Sequence, residues 1–213
     1  MAIAFDNATG GNSGSAGTTY TLAHTATGSN GIIVVQASCE EFFSITGVTW
    51  DGNAMTQVGS NQTLSPGWTT STWYYFAGTF DGSTHNVIST CNSSKSQRLN
   101  IASYTGVNQT AIDSYYQPAR STANPYSLST TVVGSGCWLI ADAINNNGNM
   151  TAGSGTTSRV AQAATIIIDS NGIVSSGSQT LNIIPTSGGQ TVGSILSILP
   201  ASTLNISAFF NFF

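Results

Sequence analysis

The sequence predicts an all-β chain in which two antiparallel sheets pack face to face as a jelly-roll-like β-sandwich. Short runs rich in β-branched and aromatic residues recur about every 10 to 15 residues, with Gly, Asn, Asp and Ser between them. No segment of about a dozen residues repeats its apolar positions with the 3.6-residue period of a surface helix. We therefore expect an antiparallel sandwich, and no parallel sheet with helical connections.

The strand-like runs fall in both halves of the chain. They cover 2–6, 18–26, 31–38, 45–50, 53–58, 70–78, 84–91, 97–105, 127–133, 136–143, 157–168, 178–184 and 192–199. Asp51-Gly52 tolerates the positive φ angles of a type I′ turn, so it predicts a hairpin between its flanking strands. Asp81-Gly82 predicts a second hairpin in the same way, and Asn171-Gly172 predicts a turn after the run that precedes it.

The chain has no linker and no clean repeat, so we expect one β-sandwich domain over residues 1–201. The remaining segment, 202–213, differs in composition and is predicted to be a C-terminal arm. It ends with four aromatic side chains that are too apolar to be left in water, and these are the predicted assembly contacts: Phe209, Phe210, Phe212 and Phe213. Three placements remain open for the arm: a last strand of its own sandwich, docking on another subunit, or contact with lipid.

Charged residues are scarce. Only 6% of the chain is charged, with four basic and eight acidic side chains, against about 25% in a typical globular protein. Four scattered cations cannot neutralise a phosphate track or attract an anionic membrane surface, so nucleic acid and membrane are excluded as expected partners. Met1–Phe5 lacks the features of a signal peptide. The chain is therefore expected to stay in the cytoplasm where it is made, to leave by lysis, or to be a fragment.

The sequence offers little material for catalysis. His24 and His85 are the only histidines, and both fall in strand-like surroundings. Serine and threonine are too abundant to single out a nucleophile, and no Gly-x-Ser-x-Gly turn occurs. Glu40 and Glu41 are adjacent, so in a strand they point to opposite faces and cannot work as a pair. We expect no enzyme activity, no catalytic residue and no cofactor.

Metal and disulfide signals are equally weak. Asp169–Gly172 resembles the opening of a calcium loop, but no Glu follows at the twelfth position, so no metal site is predicted. The cysteines are Cys39, Cys91 and Cys137. Their odd number and the absence of a Cys-x-x-Cys pair favour buried free thiols. A single bridge, Cys39–Cys91 or Cys91–Cys137, remains the alternative.

Aromatic side chains outside the strand-like runs could stack on sugar rings. The predicted glycan contacts lie in or near loops and are Trp68, Tyr115, Tyr116 and Tyr126. The aromatic residues inside strand-like runs are expected in the core instead: Trp50, Trp73, Tyr75 and Trp138.

An ordered series of local patterns resembles a known domain. The patterns are Ser44–Val58, Trp73–Phe76, Ala102–Thr110, Ile168–Gly172 and Val192–Ala201. Together they resemble a recurrent β-sandwich domain of phage virion proteins, including tail and head-surface proteins, and of secreted or surface bacterial proteins. The resemblance spans about residues 2–201 and carries no catalytic motif, so it implies no site residue.

The function expected from these observations is structural. The chain is predicted to be a non-enzymatic bacteriophage virion protein, such as a capsid decoration, head-fibre or tail-surface subunit, that assembles with copies of itself and other virion proteins. It would be made in the host cytoplasm and be extracellular in the virion after lysis. The alternative is a carbohydrate-binding or adhesin module that contacts a cell-surface glycan.

Overall fold

The protein is an all-β chain of paired antiparallel strands, as predicted. A computed structural model describes residues 1–65 and 67–202, which contain no helix. The strands are β1 (Ala4–Asn12), β2 (Gly17–Glu40), β3 (Ile45–Trp50), β4 (Asn53–Ala54), β5 (Thr56–Leu64), β6 (Trp68–Lys95), β7 (Gln97–Thr105), β8 (Ser114–Tyr116), β9 (Tyr126–Val132), β10 (Trp138–Asn145), β11 (Met150–Ala152), β12 (Thr157–Gln162), β13 (Thr165–Asp169), β14 (Gly177–Pro185) and β15 (Thr191–Ile198). Within the described ranges, no helix could span a membrane.

The strands form three sheets. The large sheet has the order β1-β7-β2-β6-β3-β4, with β5 also paired to β6. The middle sheet has the order β12-β13-β10-β15-β8, and the outer sheet has the order β11-β14-β9. All recorded strand pairs are antiparallel, which agrees with the absence of crossover connections in the sequence.

Two very long strands organise the large sheet. β2 and β6 have 24 and 28 residues and pair from Gly17 opposite Lys95 to Glu40 opposite Trp68. The segments 18–26 and 31–38, predicted as separate strands, are therefore two halves of β2. The ladder shifts register at several points near its centre, where Gly28 and Asn30 have positive φ angles. Such bulges increase the local twist and bend a strand.

The hairpin predicted at Asp81-Gly82 is wrong. β6 continues through this pair, because β2 supplies a pairing partner on both sides of it: Phe80 is opposite Gly28 and Thr84 is opposite Thr25. Gly82 takes its positive φ angle of 78° at a register shift in the ladder. The Asp-Gly pair thus makes a bulge here. At Asp51-Gly52 the predicted hairpin is confirmed, with φ angles of 48° and 77°.

The bulges near the centre of β2 and β6 bend the large sheet, and its two halves fold onto each other. Cys39, near the end of β2, pairs with Thr69, whereas Thr90 beside Cys91 pairs with Thr19. In a flat sheet these points would be roughly 65 Å apart, at about 3.3 Å per residue. The structure instead joins Cys39 and Cys91 in a disulfide with their Cα atoms 6.7 Å apart. The expectation of free thiols is therefore wrong for this pair, and it holds for Cys137, which is buried and free.

Alternating side chains bury both faces of the inner strands. On β2, Ile33 and Val35 point into the core inside the folded sheet, and Ile32 and Val34 point toward the middle sheet. On β10, Ile140 faces the large sheet while its neighbours face the outer sheet. The predicted face-to-face packing is thus confirmed, with one further layer on each side of the central contact.

The two ends of the described chain meet. The amino group of Met1 donates a hydrogen bond to the carbonyl of Ala201 at 3.0 Å, and Pro200 forms an isolated bridge with Val107. The predicted assembly contacts in the C-terminal arm, at 209, 210, 212 and 213, lie outside the described residues.

Candidate functional site

Two of the predicted glycan contacts are on the surface. Tyr115 and Tyr116 belong to β8, the edge strand of the middle sheet, and each is 52% exposed. Tyr115 borders a concavity of about 570 Å³ that also includes Tyr74 and Ile112. A second concavity of about 290 Å³ includes both Tyr115 and Tyr116. These rings are therefore free to contact a ligand or a neighbouring protein.

The other two predicted glycan contacts pack against core residues, Tyr126 fully and Trp68 in part. Tyr126 is only 2% exposed and packs between the middle and outer sheets, where burial raises the pKa of its phenol. Trp68 packs against Leu64, and the Arg98 guanidinium lies 3.9 Å from the centroid of its ring. Tyr126 is therefore inaccessible to a sugar. Trp68 is half-buried and borders a surface concavity of about 260 Å³, so it stays a predicted glycan contact.

A pocket that the sequence did not reveal lies at the open end of the folded large sheet. It has a volume of about 200 Å³, and we call it the end pocket. Its lining comes from β2, β3, β4, β6 and the turn after β3: Ala26, Trp50, Asp51, Asn53, Tyr75, Ala77, Thr79, Phe80, Asp81 and His85. Trp50 and Phe80 are buried in the core below, and Tyr75 packs beside them. The accessible lining of the pocket is therefore mainly polar, and most of the surface of Trp50 and Phe80 is covered by the core.

An imidazole between two carboxylates forms the rim. His85 Nδ1 is 3.1 Å from Asp51 Oδ1, and His85 Nε2 is 3.0 Å from Asp81 Oδ1. Both ring nitrogens can donate to these acceptors only when the imidazole is protonated. The hydrogen bond to Asp81, followed by that to Asp51, accordingly raises the pKa of His85. The pKa of Asp81 is lowered, first by the Ser83 backbone N–H and then by His85.

Strand pairing brings the two Asp-Gly pairs of this rim together. β3 pairs with β6, placing Trp50 opposite Val87. The turn at Asp51-Gly52 therefore lies beside the bulge at Asp81-Gly82. The sequence predicts a hairpin turn at each of these Asp-Gly pairs and a strand residue at His85. The spacing of four between Asp81 and His85 was the available signal, since the bulge between them lets the two side chains meet at 3.0 Å.

The other histidine is buried in a hydrogen-bonded chain. His24 Nδ1 lies 2.9 Å from Thr9 Oγ1, and His24 Nε2 lies 3.1 Å from Ser103 Oγ, which in turn contacts Asp6 Oδ2 at 2.7 Å. Burial lowers the pKa of His24 to about 4. The serine stands between the histidine and the carboxylate, and it is fully buried. This order is not that of a nucleophile, base and orienting acid.

The segment Asp169–Gly172, which resembles the opening of a calcium loop, contacts the side chain of Arg159. Arg159 Nε donates to Asp169 Oδ2 at 2.6 Å, and Arg159 Nη2 donates to Asn171 Oδ1 at 2.7 Å. In the part of the chain that the structure describes, no group of three or more His, Cys, Asp or Glu side chains could hold a metal ion.

Comparison of the chain with family models, with curated proteins and with solved structures finds no match.

Proposed function

We propose that the protein is a non-enzymatic structural subunit of a bacteriophage virion, a capsid decoration, head-fibre or tail-surface protein that packs against copies of itself and other virion proteins. In this role it is made in the host cytoplasm and becomes extracellular in the virion after lysis. The observation that carries the proposal is the solvent face of the outer sheet, where β9, β11 and β14 carry no Asp, Glu, His, Lys or Arg side chain.

Apart from the exposed Ile184, the outward face of β9 and β14 consists of short hydroxyl and amide side chains. Ser127 Oγ donates to Asn182 Oδ1 at 2.8 Å, and the hydroxyls of Ser129 and Thr180 lie 2.7 Å apart. Thr131 is opposite Ser178 on the same face. Short side chains lose little rotamer entropy when they are covered, and no charge has to be desolvated. Such a face is suited to contact another protein surface.

The placement of the acid–base groups supports the non-enzymatic part of the proposal. His24 is buried, and His85 has both ring nitrogens directed at carboxylates. Asp169 is occupied by Arg159. Each of these three groups therefore acts first as a structural partner.

The experiment measures self-association of the full chain by native mass spectrometry and sedimentation over a range of concentrations. We expect oligomers that Thr180→Lys weakens, because this change places a charge at the centre of the outer face. Thr21→Lys is the matched control, since Thr21 is exposed on the large sheet. A wild-type chain that remains monomeric at every concentration, and is not recovered in particles, would overturn the proposal.

The C-terminal arm is tested separately by truncation after Ala201. Burying a Phe side chain stabilises an interface by roughly 1.5–3 kcal/mol, so an intermolecular arm would contribute strongly to assembly. We expect the truncated chain to lose assembly while its melting temperature stays close to that of the full chain. Unfolding of the truncated monomer would assign the arm to its own sandwich instead.

The second candidate is a carbohydrate-binding or adhesin module, which the exposed Tyr115–Tyr116 pair favours. Flat aromatic rings beside a concavity are a common sugar-binding surface. A glycan array probed with the full chain tests this function, with the double variant Tyr115→Ala/Tyr116→Ala as the comparison. Binding that the double variant abolishes would support the adhesin function. Binding that survives it unchanged would exclude this surface.

A further inference from the structure

We propose that β9 is a docking edge, on which the C-terminal arm of a second copy of this chain adds as an extra strand of the outer sheet. The inference rests on the proposed assembly role, because it names the surface that receives the arm. Three features support it: the unpaired backbone edge of β9, the exposed ring of Tyr116 beside that edge, and the alternating sequence of the arm.

β9 forms one edge of the outer sheet and presents a row of unpaired backbone groups. It pairs only with β14, over all seven of its residues and without a register shift from Tyr126 to Val132. The N–H and C=O groups of alternate residues therefore point away from β14. Within residues 1–65 and 67–202, no backbone group of Ser127–Thr131 makes a hydrogen bond outside this pairing. Such an edge is a template for another strand.

The other edge strands are protected in ways that β9 is not. β4, β8 and β11 have only two or three residues. β1 and β12 each combine a bulge with a charged side chain, Asp6 in β1 and Arg159 in β12. The ladder of β5 is interrupted by a register shift between Val58 and Gln62. Among the strands that the structure describes, β9 is therefore the long edge without a charge or a bulge.

The open side of the sandwich beside β9 leaves an aromatic ring uncovered. Tyr116 is opposite Ile195, a residue of the core between the middle and outer sheets, so its ring faces the outer sheet. The ring borders a concavity of about 290 Å³ together with Thr130 and Thr131 of β9. A strand added beside β9 would direct its inward side chains into this concavity. It would cover Tyr116, which is 52% exposed.

The arm has the sequence pattern of a half-buried strand. The intervening positions include the polar residues Asn205, Ser207 and Asn211, together with two phenylalanines. Every second residue from 204 to 212 is apolar: Leu204, Ile206, Ala208, Phe210 and Phe212. A period of two gives a strand one apolar face. Paired with β9, that face would cover Tyr116, and Asn205 and Ser207 would continue the hydroxyl and amide side chains of the outer face.

The position of the last described residues favours a neighbouring copy as the source of the arm. The Ala201 N–H donates to the Gly106 carbonyl at 2.7 Å, and the Met1 amino group donates to the Ala201 carbonyl at 3.0 Å. The chain is thus held beside the end of β7 in the large sheet, whereas β9 lies in the outer sheet. The segment 203–213 is longer than the seven residues of β9, which leaves residues to span between two copies.

The test is disulfide cross-linking between two full-length chains that each carry one added cysteine. One chain carries Ser207→Cys in the arm and is isotope-labelled. The other carries Ser127→Cys, Ser129→Cys or Thr131→Cys on the outward side of β9. After mixing and mild oxidation, intact-mass spectrometry should find the mixed dimer for at least one β9 position. Thr21→Cys, on the exposed part of the large sheet, is the control and should give no mixed dimer.

A matched pair of charge substitutions tests which face of the arm turns inward. Ile206→Lys, added to the Ser207→Cys chain, should lower the yield of mixed dimer at least tenfold, because it places a charge against Tyr116. Asn205→Lys introduces the same charge on the opposite face and should leave the yield unchanged. Equal loss with both substitutions would show that the arm does not dock as a strand with its apolar face inward.

Three further outcomes overturn the proposal. The first is a chain that self-associates in sedimentation yet gives no mixed dimer at any β9 position. The second is a mixed dimer that forms equally well with Thr21→Cys. The third is a disulfide within one chain of Thr131→Cys/Ser207→Cys without any mixed dimer, which assigns the arm to its own sandwich. Self-association without the cross-link keeps the assembly role and rejects the docking edge, whereas a monomeric chain rejects both.

Discussion

Cys39 and Cys91 lie at opposite ends of the ladder between β2 and β6, yet their Cα atoms are 6.7 Å apart and their sulfurs are bonded. The bond therefore joins the two layers of the folded large sheet. Both cysteines are buried within the core between these layers, so the disulfide stabilises the closed arrangement and the end pocket that depends on it.

Removing this disulfide is expected to destabilise the fold. The closed loop spans 52 residues, for which the loss of loop entropy in the unfolded chain is worth roughly 4 kcal/mol. Cys39→Ala/Cys91→Ala should lower the free energy of unfolding in urea by about that amount. Alkylation without reductant in denaturant should modify Cys137 alone. Modification of all three cysteines under those conditions would show that the bond does not form.

Asp142 is predicted to make the protein less stable as the pH rises. Its buried carboxyl accepts a hydrogen bond from Thr72 Oγ1 at 2.6 Å, and its other oxygen, Oδ1, has no partner. Burial raises its pKa from 3.8 to about 7. Stability is therefore fully present below pH 3.8 and is lost as the pH rises through 7, by on the order of 4 kcal/mol.

The Asp142→Asn variant removes this loss because its amide stays neutral. Compared with the wild type in urea unfolding, it should gain stability progressively between pH 4 and pH 8. A difference between Asp142→Asn and the wild type that does not vary with pH would contradict the prediction.

His24 is predicted to make the protein less stable as the pH falls, which is opposite to the effect of Asp142. Its pKa falls from 6.5 to about 4 because the imidazole is buried. Its contribution is therefore present above pH 6.5 and is lost as the pH falls through 4, by on the order of 3 kcal/mol. Between pH 4 and 6.5 the effects of His24 and Asp142 oppose each other. The wild type should have a nearly flat stability there, and His24→Gln should become more stable toward low pH relative to it.

His85 is expected to titrate above 6.5, because Asp81 and Asp51 both stabilise the imidazolium. Proton NMR of the imidazole signals measures this value directly, and His24 in the same spectrum gives an internal comparison with a lowered pKa. Asp51→Asn/Asp81→Asn should return the pKa of His85 toward its usual value. A pKa of His85 at or below 6.5 in the wild type would show that the carboxylates do not hold the ring.

Substitutions in the turn between β12 and β13 are predicted to stabilise the protein. Ala163 and Ala164 have φ angles of 32° and 67°, a region that costs an L-residue roughly 1–2 kcal/mol. Asn and Gly favour this conformation, so Ala163→Asn/Ala164→Gly should raise the unfolding free energy by about 1 kcal/mol. Ala161→Gly, within the exposed part of β12, should lower it instead. Destabilisation by the double change would contradict this prediction.

The sequence by itself determined the local features of this structure. Turn residues and β-rich runs located most strands, the Asp51-Gly52 hairpin and the all-β class, because these features depend on residues close together in the chain. β11 and β8 were missed because each has only three residues. The turn at Ala163-Ala164 was missed because alanine carries no turn signal.

Only the tertiary structure decided what depends on distant residues. Asp81-Gly82 became a bulge because β2 continued to pair beyond it, and Cys39 met Cys91 because the paired strands bent together. Tyr126 became a core side chain because the middle and outer sheets cover it. The end pocket needs Asp51 from the turn after β3 and Asp81 from β6. No local sequence pattern encodes a contact between such distant residues, since the contact arises from the strand register and the bending of the whole ladder.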